Sequence, residues 1–232
     1  MVWAIPLALV VGYLIGSVQF GLIVGRITRG IDIREYGSGA TGATNVIRTS
    51  GAKAGALVIL LDIAKGVVPV YLGFLLARAA DVDGHDDRAW VAAACAFGAV
   101  CGHVWPLYAG FRGGKAVATG FGAALAMNPL ASLAMVPVAA LVVGATRIMS
   151  VMSIVMAPVL ALLFVVLAAL GVSPPAWAAY ACGAAAIILY RHEANMRRLL
   201  AGTEPRIGRG GERRADVARE KPEVRGGAGP AA

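Results

Sequence analysis

Three stretches of this chain gather glycines, hydroxyls, cations and histidines in a sequence otherwise dominated by apolar residues: 37–48, 102–119 and 191–204. In the first, Gly37, Gly39 and Gly42 alternate with Ser38, Thr41 and Thr44, and Asn45 and Arg48 follow. Glycines let successive backbone N–H groups turn toward one anion, and the hydroxyls add donors. A guanidinium then clamps a phosphate through two parallel hydrogen bonds. The spacing also fits G-x-G-x-x-G, but no strand precedes it and no βαβ unit surrounds it, so a dinucleotide site is not read here. The structural alternative is a tight re-entrant turn that needs small residues.

The second stretch repeats that chemistry. Gly113-Gly114-Lys115 opens an apolar run, which combines free N–H groups, the positive end of a helix dipole and an ammonium. It is not a Walker A loop, because Ala109 stands where the first glycine belongs and Ala116 where a hydroxyl would hold magnesium. Arg112 and Lys115 also suit plain anchoring at a membrane surface. His103, beside Trp105 and Pro106, reads as a packed residue rather than a catalyst.

In the third stretch His192, Asn195 and Leu199 fall on one helical face, so an imidazole and an amide project together. That pair suits holding a polar head group or moving a proton. A basic juxtamembrane helix is the alternative. Ser150 and Ser153 follow Arg147 at the start of an apolar run, where they either contribute to a site or bond back to their own helix. Asp62 and Lys65, three apart inside another apolar run, read as an ion pair tying helices together.

The elements that must position these groups are membrane helices. Hydrophobic residues make up 59% of the chain, and the apolar runs exceed what a soluble domain hides. Runs at 2–24, 55–77, 89–108, 129–145, 150–171 and 174–190 are span candidates, and a shorter one at 116–127 follows the Gly-Gly-Lys turn. Lys and Arg accumulate in cytoplasmic loops. Arg26, Arg29, Arg34, Arg48 and Lys53 put the first loop inside, and the acidic loop with Asp81, Asp83, Asp86 and Asp87 is outside. Counting the short run keeps Arg112, Lys115, Arg147 and the cluster from Arg191 inside, whereas omitting it inverts the later ones. The expectation is an all-α integral membrane protein with seven transmembrane helices, N-terminus outside and C-terminus cytoplasmic. All three polar stretches then share the cytoplasmic face.

Cys95, Cys101 and Cys182 fall in expected spans without metal-like or redox-like spacing and read as buried thiols. No metal and no cofactor is expected. The net charge of +8 reflects inside loops and the tail, so anionic lipid is a better partner than nucleic acid, and none of the latter is expected. The division is a membrane domain over 1–202 and a basic tail over 203–232, rich in Gly, Arg, Glu and Pro and expected to be disordered.

The stretches 37–45, 102–119 and 191–204 together resemble the three signature motifs of the bacterial acyl-phosphate:glycerol-3-phosphate acyltransferases, the PlsY family. The likeness covers about residues 1–208, in matching order and spacing. It implies transfer of a fatty acyl group from acyl phosphate to the 1-hydroxyl of sn-glycerol 3-phosphate, giving lysophosphatidic acid and phosphate. It also implies a multi-pass protein of the bacterial inner or plasma membrane, with its site toward the cytoplasm. Implied partners are the two substrates, membrane lipid and other enzymes of phospholipid synthesis. Family functional residues map onto Ser38, Arg48, Lys115, His192 and Asn195, and the substrate-binding set onto Gly37, Gly39, Thr41, Gly42, Thr44, Asn45, Gly113, Gly114, Glu204 and one of Ser150 or Ser153. Two departures stand out: Ala40 where the family often has Asn, and Ala116 where a third Gly is usual.

Two phosphates held close together, with the acyl chain among apolar helices, let proximity supply much of the rate for an already activated donor. The base is His192 or a substrate phosphate oxygen. No H-x-x-x-x-D signature occurs, since Trp90, Tyr108 and Arg197 stand five beyond His85, His103 and His192. A transporter or channel for phosphate esters is the competing class, and a non-catalytic scaffold is another. Against transport, no inverted repeat is evident and the polar loops lie at one face rather than at the midplane.

Overall fold

The computed structural model describes residues 3–207 and 209–216. Among them the chain is all-helical apart from one isolated bridge between Tyr36 and Arg213. The helices are α1 (Ala4–Gly16), α2 (Phe20–Arg29), α3 (Ala43–Ser50), α4 (Ala52–Ala79), α5 (His85–Val104), α6 (Val117–Met127), α7 (Pro129–Thr146), α8 (Met149–Ala169), α9 (Pro175–Arg191) and α10 (Glu193–Leu200). Among the described residues, five segments are long and apolar enough to cross a bilayer: Ala4–Arg29, Ala52–Ala79, His85–Ala109, Pro129–Thr146 and Met149–Ala169. Val117–Met127 is apolar but shorter.

The first apolar run, read from sequence as one unbroken span, is interrupted between α1 and α2. The break frees carbonyls that buried side chains must satisfy. Gln19 Nε2 donates to Gly16 O at 3.3 Å and Ser17 O at 3.4 Å, and Lys65 Nζ donates to Val18 O at 2.7 Å. Lys65 and Asp62 form the expected ion pair at 2.9 Å, both buried. α5 ends before Pro106, whose ring disfavours helical backbone at Trp105 and which brings no N–H. The short α6 ends where Asn128 turns the chain: its Oδ1 accepts from Ala131 N at 3.0 Å, and Pro129 opens α7.

Lipid is as apolar as a leucine side chain, so membrane helices gain by close backbone approach through small residues rather than by excluding water. A Cβ on Gly12 or Gly16 of α1 would overlap the backbone of Cys95 or Ala99 on α5, and Gly98 and Gly102 of α5 meet α1 in return. Gly66 of α4 lies against the Thr119 carbonyl of α6, and Gly122 of α6 against that of Ile63. These contacts hold α5 and α6, which flank the Gly-Gly-Lys turn, against α1 and α4. α7 buries only Ala131 and Ser132, and Leu133, Val136 and Leu141 face outward.

The tail expected to be without structure from Thr203 makes specific contacts. Ile207 N donates to Arg147 O at 2.9 Å, Gly37 N donates to Glu212 O at 3.0 Å, and Arg213 pairs with Glu35 at 3.3 Å. Its polar composition offers no apolar pattern to read, yet its backbone completes that of the first loop. The rest of the expected disordered tail, 217–232, lies outside the described residues.

Candidate active site

Residues 36–42 form the first loop, and Asn45 shapes it from the first turn of α3. Its Nδ2 lies within hydrogen-bond reach of Ile33 O at 2.8 Å, Ala40 O at 3.0 Å and Tyr36 O at 3.1 Å, and its Oδ1 accepts from Ser38 N at 3.2 Å. Asn45 is 2% exposed, so its amide is committed to the loop. Thr41 is turned inward and donates to Gln19 Oε1 at 2.5 Å. Arg34 ties this loop to the second: it is paired with Asp32 at 2.7 Å and donates to Ala109 O at 2.9 Å. The second loop folds back on α5, where Gly113 N donates to Val104 O at 3.2 Å and Gly114 N to His103 O at 3.1 Å. Gly114 rests on the His103 ring, and His103 Nδ1 lies 3.2 Å from Thr119 Oγ1. Ala116 then takes φ +58, a left-handed conformation, to start α6.

These pieces surround one cavity of about 310 Å³. Its polar end is organised by Glu204, which is 9% exposed. Glu204 Oε1 accepts from Ser150 Oγ at 2.8 Å and Asn195 Nδ2 at 2.5 Å, and Oε2 accepts from Arg198 Nε at 2.7 Å. Lys115 Nζ donates to Asn195 Oδ1. Arg48 Nη2 reaches Pro205 O at 3.4 Å, while its buried Nε has no partner among the described residues, leaving a donor for a ligand. Arg191 Nε donates to Gly114 O at 3.4 Å. Four cations thus gather around one carboxylate, the charge balance a phosphate monoester needs.

That balance shifts proton affinities. Burial, offset in part by Glu204 and reinforced by Arg198, Arg48 and Arg191, pushes the Lys115 ammonium down to about 8. Burial and the nearby Lys115 charge push His192 down to about 4, so it is neutral at neutral pH. Its Nδ1 lies 2.7 Å from Ile188 O. A carbonyl only accepts, so Nδ1 carries the hydrogen and Nε2 keeps its lone pair. Burial raises Glu204, but hydrogen bonds from Asn195, Ser150 and Arg198 outweigh it and hold the carboxyl below its usual range. Burial lowers Arg48 as well.

Of the residues expected in the site, Ser38, Gly42, Thr44, Asn45, Arg48, Lys115, Ser150, Ser153, His192, Asn195 and Glu204 line this cavity. Gly37, Gly39, Thr41, Gly113 and Gly114 do not; they shape the two loops behind it. Ser150 is bonded to Glu204 and Ser153 to Met149 O at 3.1 Å on its own helix, which separates two serines that sequence left equivalent. Sequence reasoning missed Gln19 and Arg198. A lone polar residue in an apolar run signalled the first, while the second lay within a quoted stretch without a role.

Beyond the polar end the cavity continues as an apolar arm between α6, α8 and α9, lined by Gly120, Met156, Leu160, Ala161, Tyr180 and Ala184. A cationic mouth on an apolar arm is the arrangement expected of an enzyme of phosphorylated lipid precursors. The glycerol-3-phosphate acyltransferase family model matches residues 6–202. A glycerol-3-phosphate acyltransferase of Prochlorococcus marinus (strain MIT 9313) is 44% identical over 202 residues, 87% of this chain and 94% of that protein. One of Synechococcus sp. (strain CC9902) is 41% identical over 206 residues, 89% and 96% of the two chains. The crystal structure of PlsY, an integral membrane glycerol 3-phosphate acyltransferase, in its glycerol 3-phosphate form superposes with a TM-score of 0.76 at 34% identity, covering 88% of this chain and 96% of that one. Its lysophosphatidic acid form gives 0.73 at 33%, over 87% and 94%. The chain belongs to the glycerol-3-phosphate acyltransferase family and is an integral membrane enzyme of it, as the motif resemblance implied.

Proposed function

We propose that this protein transfers a fatty acyl group from acyl phosphate to the 1-hydroxyl of sn-glycerol 3-phosphate, yielding lysophosphatidic acid and inorganic phosphate. The observation that carries this reading is the joining of a mouth lined by Arg48 and Lys115, with Arg198 paired to Glu204 behind it, to an apolar arm within one cavity. The two solved relatives are a glycerol 3-phosphate form and a lysophosphatidic acid form, the acceptor and product of this step.

In this mechanism the phosphates of donor and acceptor lie against Arg48, Lys115 and the first loop, and the acyl chain lies in the arm. The glycerol oxygen attacks the acyl carbon and forms the new C–O bond. The bond from the acyl carbon to the phosphate oxygen breaks, and phosphate leaves with the bonding pair. The hydroxyl proton passes to His192 Nε2 or to a phosphate oxygen. Lys115 and Ser38 supply donors to the oxyanion, and holding both substrates in one site supplies much of the rate. Glu204 aligns Asn195, and through it Lys115.

The membrane arrangement that fits is seven spans, with the N-terminus outside and this mouth on the cytoplasmic side of a bacterial plasma membrane. The basic loops support it. Within that arrangement 1–202 form the catalytic domain, and 203–207 and 209–216 pack against Arg48, Arg147 and the first loop. Other enzymes of phospholipid synthesis would supply the donor or take the product. Transport is disfavoured because the apolar arm ends in buried aromatic residues. The test is a donor comparison with the purified protein in lipid nanodiscs. Lysophosphatidic acid forms from palmitoyl phosphate and not from palmitoyl-coenzyme A; the reverse preference overturns the donor assignment.

A further inference from the structure

We infer that Tyr180 is the floor of the apolar arm and sets the length of acyl chain the protein accepts. The inference rests on the acyl-phosphate reading above. The arm exists because α6, α8 and α9 turn small residues toward one another, with Gly120, Ala124, Ala157, Ala161, Ala181 and Ala184 along its walls. Along α8 and α9 its lining goes no deeper than Ala161 and Tyr180. One turn deeper the small residues give way to Phe164, 1% exposed, and Trp177, 4% exposed, with Phe74 edge-on to Trp177 at a centroid distance of 5.9 Å. The space is filled there.

Tyr180 is held where a floor needs to be rigid. It is 3% exposed, and its hydroxyl donates to Gly120 O at 3.1 Å, crossing the arm from α9 to α6. At 1.5 Å per residue, Tyr180 lies about 18 Å from His192 along α9, and Ala161 about 16 Å from Ser150 along α8. With carbon–carbon bonds near 1.5 Å, an extended chain advances about 1.3 Å per methylene, so the arm takes about 13 methylenes beyond the reacting carbon. Donors of about 14 to 16 carbons fill it, and longer chains meet the ring.

The experiment is a competition among saturated acyl phosphates of 12 to 20 carbons at fixed glycerol 3-phosphate, with lysophosphatidic acid species counted by mass, for the parent protein, Tyr180→Ala and Ala157→Phe. Removing the ring raises the ratio of 18-carbon to 14-carbon product about tenfold or more, the scale set by one or two methylenes in an apolar pocket. Ala157→Phe, which lies about one turn nearer the mouth, moves the optimum down by about four carbons. Unchanged length profiles in the active variants overturn the inference while leaving the acyl-phosphate reading standing. Failure of the parent protein to acylate glycerol 3-phosphate from any acyl phosphate removes that reading, and the inference with it.

Discussion

Lys115 and Asn195, 80 residues apart, are joined by a hydrogen bond from the Lys115 ammonium to the Asn195 side-chain carbonyl. The Asn195 amide nitrogen in turn donates to Glu204 at 2.5 Å. The relation makes Glu204 the anchor of a cation it does not touch. Lys115 takes its height and direction from α10 and the segment after it, elements separated from the Gly-Gly-Lys turn by four helices, α6 to α9.

Glu204→Gln keeps shape and removes charge. The negative field that raises the Lys115 proton affinity disappears, and Arg198 loses its partner. The expected outcome is a fall in kcat/KM of about a hundredfold, comparable to losing an oxyanion donor, with expression and melting temperature close to the parent's. Initial rates and a thermal melt of the purified variant check it; an unchanged rate removes the anchoring role.

The pH profile of kcat/KM is expected to be bell-shaped. With His192 as the base, its imidazole, at about 4, must be neutral to accept the proton, so activity is lost as pH falls through that value; with a phosphate oxygen as the base, no limb follows His192. Lys115, at about 8, must be charged to bind phosphate and stabilise the oxyanion, so activity is lost as pH rises through it. Lys115→Arg, whose guanidinium stays charged, lowers the maximum but moves the alkaline limb upward. An alkaline limb that stays near 8 in that variant assigns the titration to another group.

Much of this site was legible because its chemistry is local. Glycines beside hydroxyls and a cation signal an anion loop whatever the fold, and Ser38, Arg48, Lys115, His192, Asn195 and Glu204 all reach the cavity. Thr41 was misplaced within that loop. It resembles its neighbours in sequence, but Gln19, 22 residues away, draws its hydroxyl inward. The break between α1 and α2 was hidden for a similar reason, since the carbonyls it frees are capped partly by Lys65, far along the chain. Asn45 stood among the expected substrate-binding residues, whereas the folded loop shows three carbonyls converging on its amide.

Asn45→Ala leaves those carbonyls and Ser38 N without their partner. A loss of about 1–3 kcal/mol in stability is expected, together with activity lost through a misshaped first loop. Thr44→Ala, one residue earlier, is the comparison and costs much less stability. Chemical denaturation in mild detergent measures both.

Gln19→Leu and Thr41→Val remove the two ends of one buried hydrogen bond. Because each single change strands the other partner, the double variant is expected to be more stable than the sum of the singles by about 0.5–3 kcal/mol. Additive losses would mean that the bond couples nothing.

Ala116 holds φ +58, where a side chain costs about 1–2 kcal/mol and glycine costs none. Ala116→Gly is therefore expected to raise the melting temperature or leave it unchanged while keeping activity, and a marked loss of stability contradicts that backbone geometry.

The most direct measurement follows both products at once: radiolabelled glycerol 3-phosphate and palmitoyl phosphate are given to the purified protein in nanodiscs, and lysophosphatidic acid and phosphate are counted together. Equal amounts of the two, dependent on both substrates and reduced by orders of magnitude in Lys115→Ala, are the expected result. Phosphate released without lysophosphatidic acid, or no product from a folded sample, contradicts acyl transfer at this site.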